Sequence, residues 1–154
     1  MILASITNAR VVKIKGENEI SINIPASFLE STMGEEVDAS RFNHAVIIFT
    51  PSTRIIKIYP SKSDQVARIE VEIGELTPDF LQDVSSIFLE TSIKTLYSTG
   101  VCFTSEACLY EVYADKMDLP SHISVDELKN RLKEIRGVSN VKIDFLSPDK
   151  AWEG

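Results

Sequence analysis

Two cysteines, two histidines and several paired acids are the side chains of this 154-residue sequence with a capacity for chemistry. Cys102 and Cys108 sit in GVCFTSEACLYEVYAD, symmetric about Ser105. A hairpin turning at that serine would set them directly opposite one another, with Cβ atoms near enough for a disulfide. A metal would need about two further ligands, and neither His44 nor His122 is close in sequence. Three readings stand: two small strand residues packed in a sheet, a reversible redox pair, or half of a metal site shared with a second chain. His44 opens an apolar run and His122 lies in the loop LPSHIS, positions typical of boundary or surface imidazoles. The pairs Glu70 and Glu72, and Glu35 and Glu36, suit the wet face of a strand and a loop rather than acid–base catalysis. Tyr97, Phe103, Tyr110 and Tyr113 could stack on a ligand or on one another across strands. Gly-rich phosphate loop, H-E-x-x-H and nucleophile elbow are all missing from the sequence. No catalytic residues, metal ligands or cofactor are therefore expected, and the chain reads as a binding or regulatory protein.

The elements that must carry these residues are those of a folded chain. Apolar residues make up 44% and charged residues 25%, without like-charge blocks or low-complexity repeats, which argues against disorder. The opening MILASITNARVVKIKG is interrupted by Asn8, Arg10 and Lys13, well short of the roughly 20 apolar residues of a membrane helix. The expectation is a soluble cytoplasmic protein with no membrane partner. Two cysteines do not suggest a secreted disulfide scaffold. A connector, YPSKSDQ, divides the charge unevenly. Residues 1–62 hold seven Lys/Arg against six Asp/Glu, whereas residues 63–154 hold nine against seventeen, so the net −7 belongs to the second half. Any contact with nucleic acid would have to come from the first.

Residues 63–154 have the clearer pattern. VARIEVEI alternates Ala67, Ile69, Val71 and Ile73 with Arg68, Glu70 and Glu72, a strand with one wet face. Thr77 and Pro78 open a helix in which Phe80, Val84, Ile87, Phe88 and Thr91 recur at helical spacing. SIKTLYSTGVCF and ACLYEVYAD, joined around TSE, predict a hairpin with a three- to five-residue loop. Ser124 and Glu127 form a capping box ahead of the stripe Val125, Leu128, Leu132 and Ile135, and Gly137 marks the stop. NVKIDFL closes the chain's pattern, with Val141, Ile143 and Phe145 on one face. The order β, α, β, β, α, β predicts two helices over one face of a four-stranded antiparallel sheet. The other face, where Tyr97, Cys102, Leu109 and Tyr113 are placed, is too apolar to stay wet, so a homodimer or higher homo-oligomer is expected.

Over residues 66–146, and most of all in ELKNRLKEIRGVSNVKI, the pattern resembles an ACT or ACT-like ferredoxin-fold domain. The resemblance implies an amino acid or other small effector bound at a subunit interface, near the turn from first strand to first helix. That turn is IGELTP, which makes Gly74, Glu75, Leu76, Thr77 and Pro78 the candidate ligand-binding residues, with backbone N–H groups at a helix start to receive a carboxylate.

Residues 1–62 read as RVVKIKGENEISINIP, two strands about Gly16 and Asn18, then a short helix in ASFLESTMG, then HAVIIFT and RIIKIYP as a hairpin about PST. This order, with Ile-Pro at the helix start, is similar to the SpoVT/AbrB-like swapped-hairpin domain, in which two chains interleave into one DNA-binding unit. About sixty residues make a small core, and interleaving would relieve that. The resemblance implies phosphate contacts from Arg10, Lys13 and Lys15. Where the family often carries basic residues before the Ile-Pro and in the helix, this chain has Glu19, Ser21, Leu29 and Glu30.

The sequence thus points to an α+β chain, with an AbrB-like β-rich domain at 1–62 and an ACT-like βαββαβ domain at 63–154. The matching function is a small-molecule-responsive transcriptional regulator without enzymatic activity. The alternative is a regulatory or assembly subunit that docks on a partner enzyme without binding DNA.

Overall fold

The computed structural model describes residues 42–148. The chain divides into two compact units, Met1–Ala39 and Ser40–Gly154, and the described residues all belong to the second. The strands and short helix expected before residue 42, the candidate DNA contacts Arg10, Lys13 and Lys15, the pair Glu35 and Glu36, and Trp152 lie outside them. The second unit is α+β, built of two antiparallel sheets and two α-helices among the described residues.

A two-stranded sheet comes first, β1 (His44–Thr50) and β2 (Ile55–Ser61), joined by a loop in which Arg54 takes φ 57°. Both strands form where HAVIIFT and RIIKIYP predict them. Both fall within the second unit, Ser40–Gly154. The expected connector at Lys62 falls inside the second unit, and the hairpin packs on the sheet that follows.

That sheet contains β3 (Val66–Ile73), β4 (Tyr97–Thr104), β5 (Ala107–Asp115) and β6 (Val138–Leu146), in the spatial order β4-β5-β3-β6. Helix α1 (Phe80–Glu90) leads from β3 to β4, and α2 (Val125–Lys133) leads from β5 to β6. Each connection skips over one strand: β5 lies between β3 and β4, and β3 lies between β5 and β6. Consecutive strands around each helix therefore run parallel without touching, and every paired strand is antiparallel.

The period-two alternation of β3 decides the layers. Ala67, Ile69, Val71 and Ile73 are buried on the helix side, in a core with Phe80, Val84 and Phe88 of α1, Leu128 and Leu132 of α2, Val112 and Val141. Burying such side chains is worth about 1.5–3 kcal/mol each, and this dry face is the main attraction holding the helices to the sheet. Phe80, Val84 and Phe88 recur every fourth residue, one stripe of α1. The helix starts at Phe80, two residues after Pro78, with Asp79 as N-cap.

Its exit was not legible as such. Ser92 takes φ 58° and donates to the Leu89 carbonyl (3.1 Å), while Ile93 donates to the Phe88 carbonyl (2.9 Å). This is a Schellman closure with serine in the place of glycine, and Ile93 packs in the same core as Phe88. The β-branched residues of SIKT that suggest strand serve this exit instead, and β4 starts only at Tyr97. The capping box forms as expected, with Ser124 Oγ accepting from Glu127 N at 3.0 Å. Leu128, Leu132 and Ile135 of its stripe are buried, but Val125 is exposed.

The second face of the sheet is covered in part by the chain's own hairpin. Val46 and Ile48 of β1 pack with Val66, Tyr113 and Leu146, and Tyr59 of β2 stacks on Tyr97 at 5.7 Å, which lies 6.4 Å from Tyr113. Lys57 Nζ sits 4.1 Å above the Tyr97 ring. The apolar surface that suggests a second chain thus finds an intramolecular partner at this end of the sheet. Cys102 is not part of that surface. Counting along β4 from Tyr97 puts Thr99 and Val101 with it, and Cys102 on the helix side opposite Cys108.

A buried carboxylate ties hairpin to sheet. Asp115, at the end of β5, is 2% exposed. Its Oδ2 lies 2.9 Å from Ser61 Oγ and accepts from Lys62 N at 2.7 Å, while its Oδ1 accepts from Met117 N at 3.1 Å. Burial alone would raise the pKa of this acid, but the donated hydrogen bonds outweigh it and hold the carboxyl below its ordinary value. No helix among the described residues is long and apolar enough to cross a membrane.

Candidate functional site

The turn from β3 into α1 is held from the other end of the domain. After α2 the chain reverses at Gly137, φ +89°, whose carbonyl accepts from both Gly74 N (2.9 Å) and Glu75 N (3.2 Å). A Cβ on Gly137 would stand 1.9 Å from the Glu75 carbonyl oxygen, so only glycine fits there. Two of the backbone N–H groups expected to face a ligand are therefore already used. The remaining polar groups of the turn lie at the helix start. Gly74, Glu75, Leu76 and Pro78 are exposed, and Thr77 is half-buried. Thr77 Oγ1 is inaccessible to solvent and has no hydrogen-bond partner among the described residues. Asp79 caps α1 without a side-chain hydrogen bond. The exposed Arg136–Glu75 ion pair at 3.8 Å adds little, since surface pairs contribute about 0–1 kcal/mol.

A second concentration of polar groups occupies the sheet face beside the hairpin. The register aligns Tyr97, Tyr113, Arg68 and Asp144 in one row, and Thr99, Glu111, Glu70 and Lys142 in the next. Arg68 is the centre of this patch. Its Nη2 is 3.5 Å from Asp144 Oδ2, and its Nε is 3.1 Å from Glu70 Oε1. That Nε–H is nevertheless buried and has no hydrogen bond to any described residue, so the contact to Glu70 is an ion pair without aligned geometry. Burial would lower the Arg68 pKa, but Glu70, Tyr113 and Asp144 together raise it. Glu111 lies directly across from Glu70, and its pKa is raised, first by burial and then by Glu70, with Arg68 opposing. The Tyr113 phenol is also raised, mainly by burial. Asp144 is held down by its hydrogen bond to Lys142, at 3.1 Å.

Between this charged patch and β1 runs a cleft of about 630 Å³. Val46, Ile48 and Leu146 make its apolar wall, and Arg68, Lys142 and Asp144 its charged wall, with His44 and Asp64 at the margin. An apolar wall facing a few polar groups is the chemistry of small-molecule binding. Nothing in the sequence pattern located it, because the cleft exists only once the hairpin of one half lies on the sheet of the other. The alternation of Arg68, Glu70 and Glu72 did mark their shared face.

His44 is exposed at the start of β1, and His122 is exposed in the loop before α2. Among the described residues no three His, Cys, Asp or Glu side chains come together as a metal site. Tyr110 packs edge-on against Phe80 at 5.7 Å, whereas Phe103 is 72% exposed. Cys102 and Cys108, directly opposed in the register, are joined as a disulfide, so the pair is more than two packed strand residues. No family model matches this chain, and no curated protein is similar enough to it to show a relationship.

Proposed function

We propose that the chain is a small-molecule-responsive regulator of transcription, in which an effector carboxylate is received at the Gly74–Pro78 turn. The observation that carries this reading is the Thr77 hydroxyl, shut off from solvent at the start of α1 without a partner among the described residues. A buried hydroxyl without a hydrogen bond costs about 1–3 kcal/mol, and a ligand oxygen that reached it through a shift of the exposed Glu75–Leu76 segment would offset that cost. The strand order β4-β5-β3-β6, with both helices in crossover positions, supports a ferredoxin-like, ACT-like effector module. The effector class implied is an amino acid. Two copies joined as a homodimer would let effector binding change the placement of paired N-terminal halves on DNA, with Arg10, Lys13 and Lys15 on phosphates.

Calorimetric titration of the full chain with the amino acids tests the effector site, with Thr77→Val as control. Saturable binding that the variant loses supports the site, and binding of equal strength in the variant refutes it. Retention of the gene's own upstream DNA on a gel, weakening steeply with salt and abolished by Lys13→Glu with Lys15→Glu, tests the DNA contacts.

A second reading has an observation of its own. Ile47, Phe49, Ile56 and Ile58 point away from the sheet on the outer side of the β1–β2 hairpin and are 43–58% exposed. An uncharged apolar patch of this kind favours docking on a protein. In that reading the chain is a regulatory or assembly subunit of a partner enzyme, and no DNA is retained at low salt.

A further inference from the structure

The Cys102–Cys108 bond lies at the sheet's edge, near the tip of the β4–β5 hairpin, and Cys108 pairs with Ile73, the last residue of β3 before the Gly74–Pro78 turn. Its two sulfurs have different surroundings. Cys108 is 7% exposed and belongs to the helix-side core, with Ile73 of β3 as its neighbour in the register. Cys102 is exposed, on β4, the outermost strand of the sheet. Thiolate attack on a disulfide proceeds in line with the S–S bond. For Cys108 the line of approach passes through β3 and the core. For Cys102 it comes from beyond the free edge of the sheet, through solvent.

The segment that the bond closes is the least supported part of the domain. Ser98–Ala107 are exposed throughout, the strand contains Gly100, and the pairing register shifts between Cys102 and Thr104. The disulfide spans only six positions, so it constrains little of the unfolded chain. The rest of the sheet is held by a core in which Cys108 is one side chain of fourteen. Breaking the bond therefore leaves the fold intact and loosens the hairpin tip alone.

From this asymmetry we infer that Cys102–Cys108 is a thiol-exchange site, a redox clasp on the β4 edge whose substrate is a dithiol reductant entering at Cys102. The reductant's thiolate bonds to Cys102 Sγ and the S–S bond breaks, with its electron pair leaving on Cys108, which takes up a proton. The reductant's second thiolate then attacks its own sulfur in the mixed disulfide and releases Cys102. The reductant ends as a cyclic disulfide, oxidised by two electrons, and the protein carries two thiols. Oxidised, the clasp keeps Val101 and Phe103, 49% and 72% exposed, on an ordered uncharged strand edge. Reduced, the tip frays and that edge is lost.

The test uses the full chain in native buffer. Dithiothreitol at graded ratios of reduced to oxidised form is followed by iodoacetamide and intact mass. Reversible loss of the bond, while circular dichroism stays constant, is expected. Glutathione should give a mixed disulfide on Cys102 rather than on Cys108. Hydrogen exchange at Val101–Ala107 should be about tenfold faster in the reduced form, with β3 and β6 unchanged. Cys102→Ser should match the reduced wild type. Two free thiols after purification without reductant, reduction only in denaturant, glutathione on Cys108, or equal tip exchange in both states would each overturn the proposal.

Discussion

Asp115→Asn is the most informative single perturbation of the architecture. The carboxylate is 2% exposed and receives Lys62 N on Oδ2 and Met117 N on Oδ1, with Ser61 Oγ beside Oδ2. An asparagine keeps one oxygen and places an NH₂ where the other stood, so at least one N–H donor then faces another donor. Hydrogen bonds to a charged group contribute roughly 1.5–3 kcal/mol, and an orphaned buried donor costs about 1–3 kcal/mol, so the variant should lose about 2–4 kcal/mol. Because Ser61 ends β2 and Lys62 follows it, the loss should concentrate in the hairpin. Hydrogen exchange over residues 44–61 should quicken far more than over β3. The wild-type carboxyl is held below its ordinary pKa, so its contribution is present above the unfolded value near about 4 and disappears as pH falls through the lower folded value. Urea midpoints of wild type and variant, well separated at pH 7, should converge on acidification. A variant within about 0.5 kcal/mol of wild type at pH 7, with unchanged hairpin exchange, would refute the claim that this carboxylate fastens the hairpin to the sheet.

Glu111 should behave in the opposite sense. Its pKa is raised, so the folded state favours the protonated acid, and the benefit is lost as pH rises through the folded value. Glu111→Gln should raise urea stability at pH 7 by about 0.5–1 kcal/mol after solvent screening and by nothing below about pH 4. Gly137→Ala must move a backbone carbonyl that would lie 1.9 Å from the new Cβ, and loss of more than about 2 kcal/mol is expected in the same assay. Ser124→Ala removes the acceptor for Glu127 N and should cost about 1 kcal/mol, read as a lowered thermal midpoint. If the homodimer forms, light scattering at micromolar protein should give about twice the 17.2 kDa chain mass, and a clean monomer would sink the dimeric mechanism.

Periodicity made the second half legible because its elements are amphipathic in the simplest sense. VARIEVEI can only be a strand with one dry face, and Phe80, Val84 and Phe88 can only share one side of a helix. The Ser124 cap is a local interaction between residues three positions apart, so its signal survives in the sequence, whereas Gly137 lies three residues beyond the C-cap Glu134 and is required by the distant Glu75 carbonyl. Ser92–Leu96 misled because β-branched residues serve a Schellman exit as well as a strand, and the glycine that usually marks such an exit is a serine. Cys102 does not share a face with Tyr97: the two are five residues apart, an odd number, so period-two alternation sets them on opposite faces wherever the strand begins. The pairing of Cys102 with Cys108 was within reach through their symmetry about Ser105, but symmetry does not decide between contact and bond.

What no local pattern could supply was the relation between the hairpin and the sheet. HAVIIFT and RIIKIYP are apolar on both faces, which is equally suited to an interleaved pair of chains and to a lid on the chain's own sheet. The deciding contacts are long-range: Ser61 with Asp115, fifty-four residues apart, and Tyr59 with Tyr97. They use one face of the hairpin and leave Ile47, Phe49, Ile56 and Ile58 outward. A two-stranded hairpin alone is marginally stable in water, and here its inner face gains the support of a four-stranded sheet. The same contacts create the cleft beside Arg68, so this second candidate small-molecule site depends on Asp115 as much as on its own lining. Asp115→Asn should therefore impair any ligand of that cleft while sparing an effector bound at Gly74–Pro78. Measuring both affinities in the one variant distinguishes the two locations without knowing the ligand's role in advance.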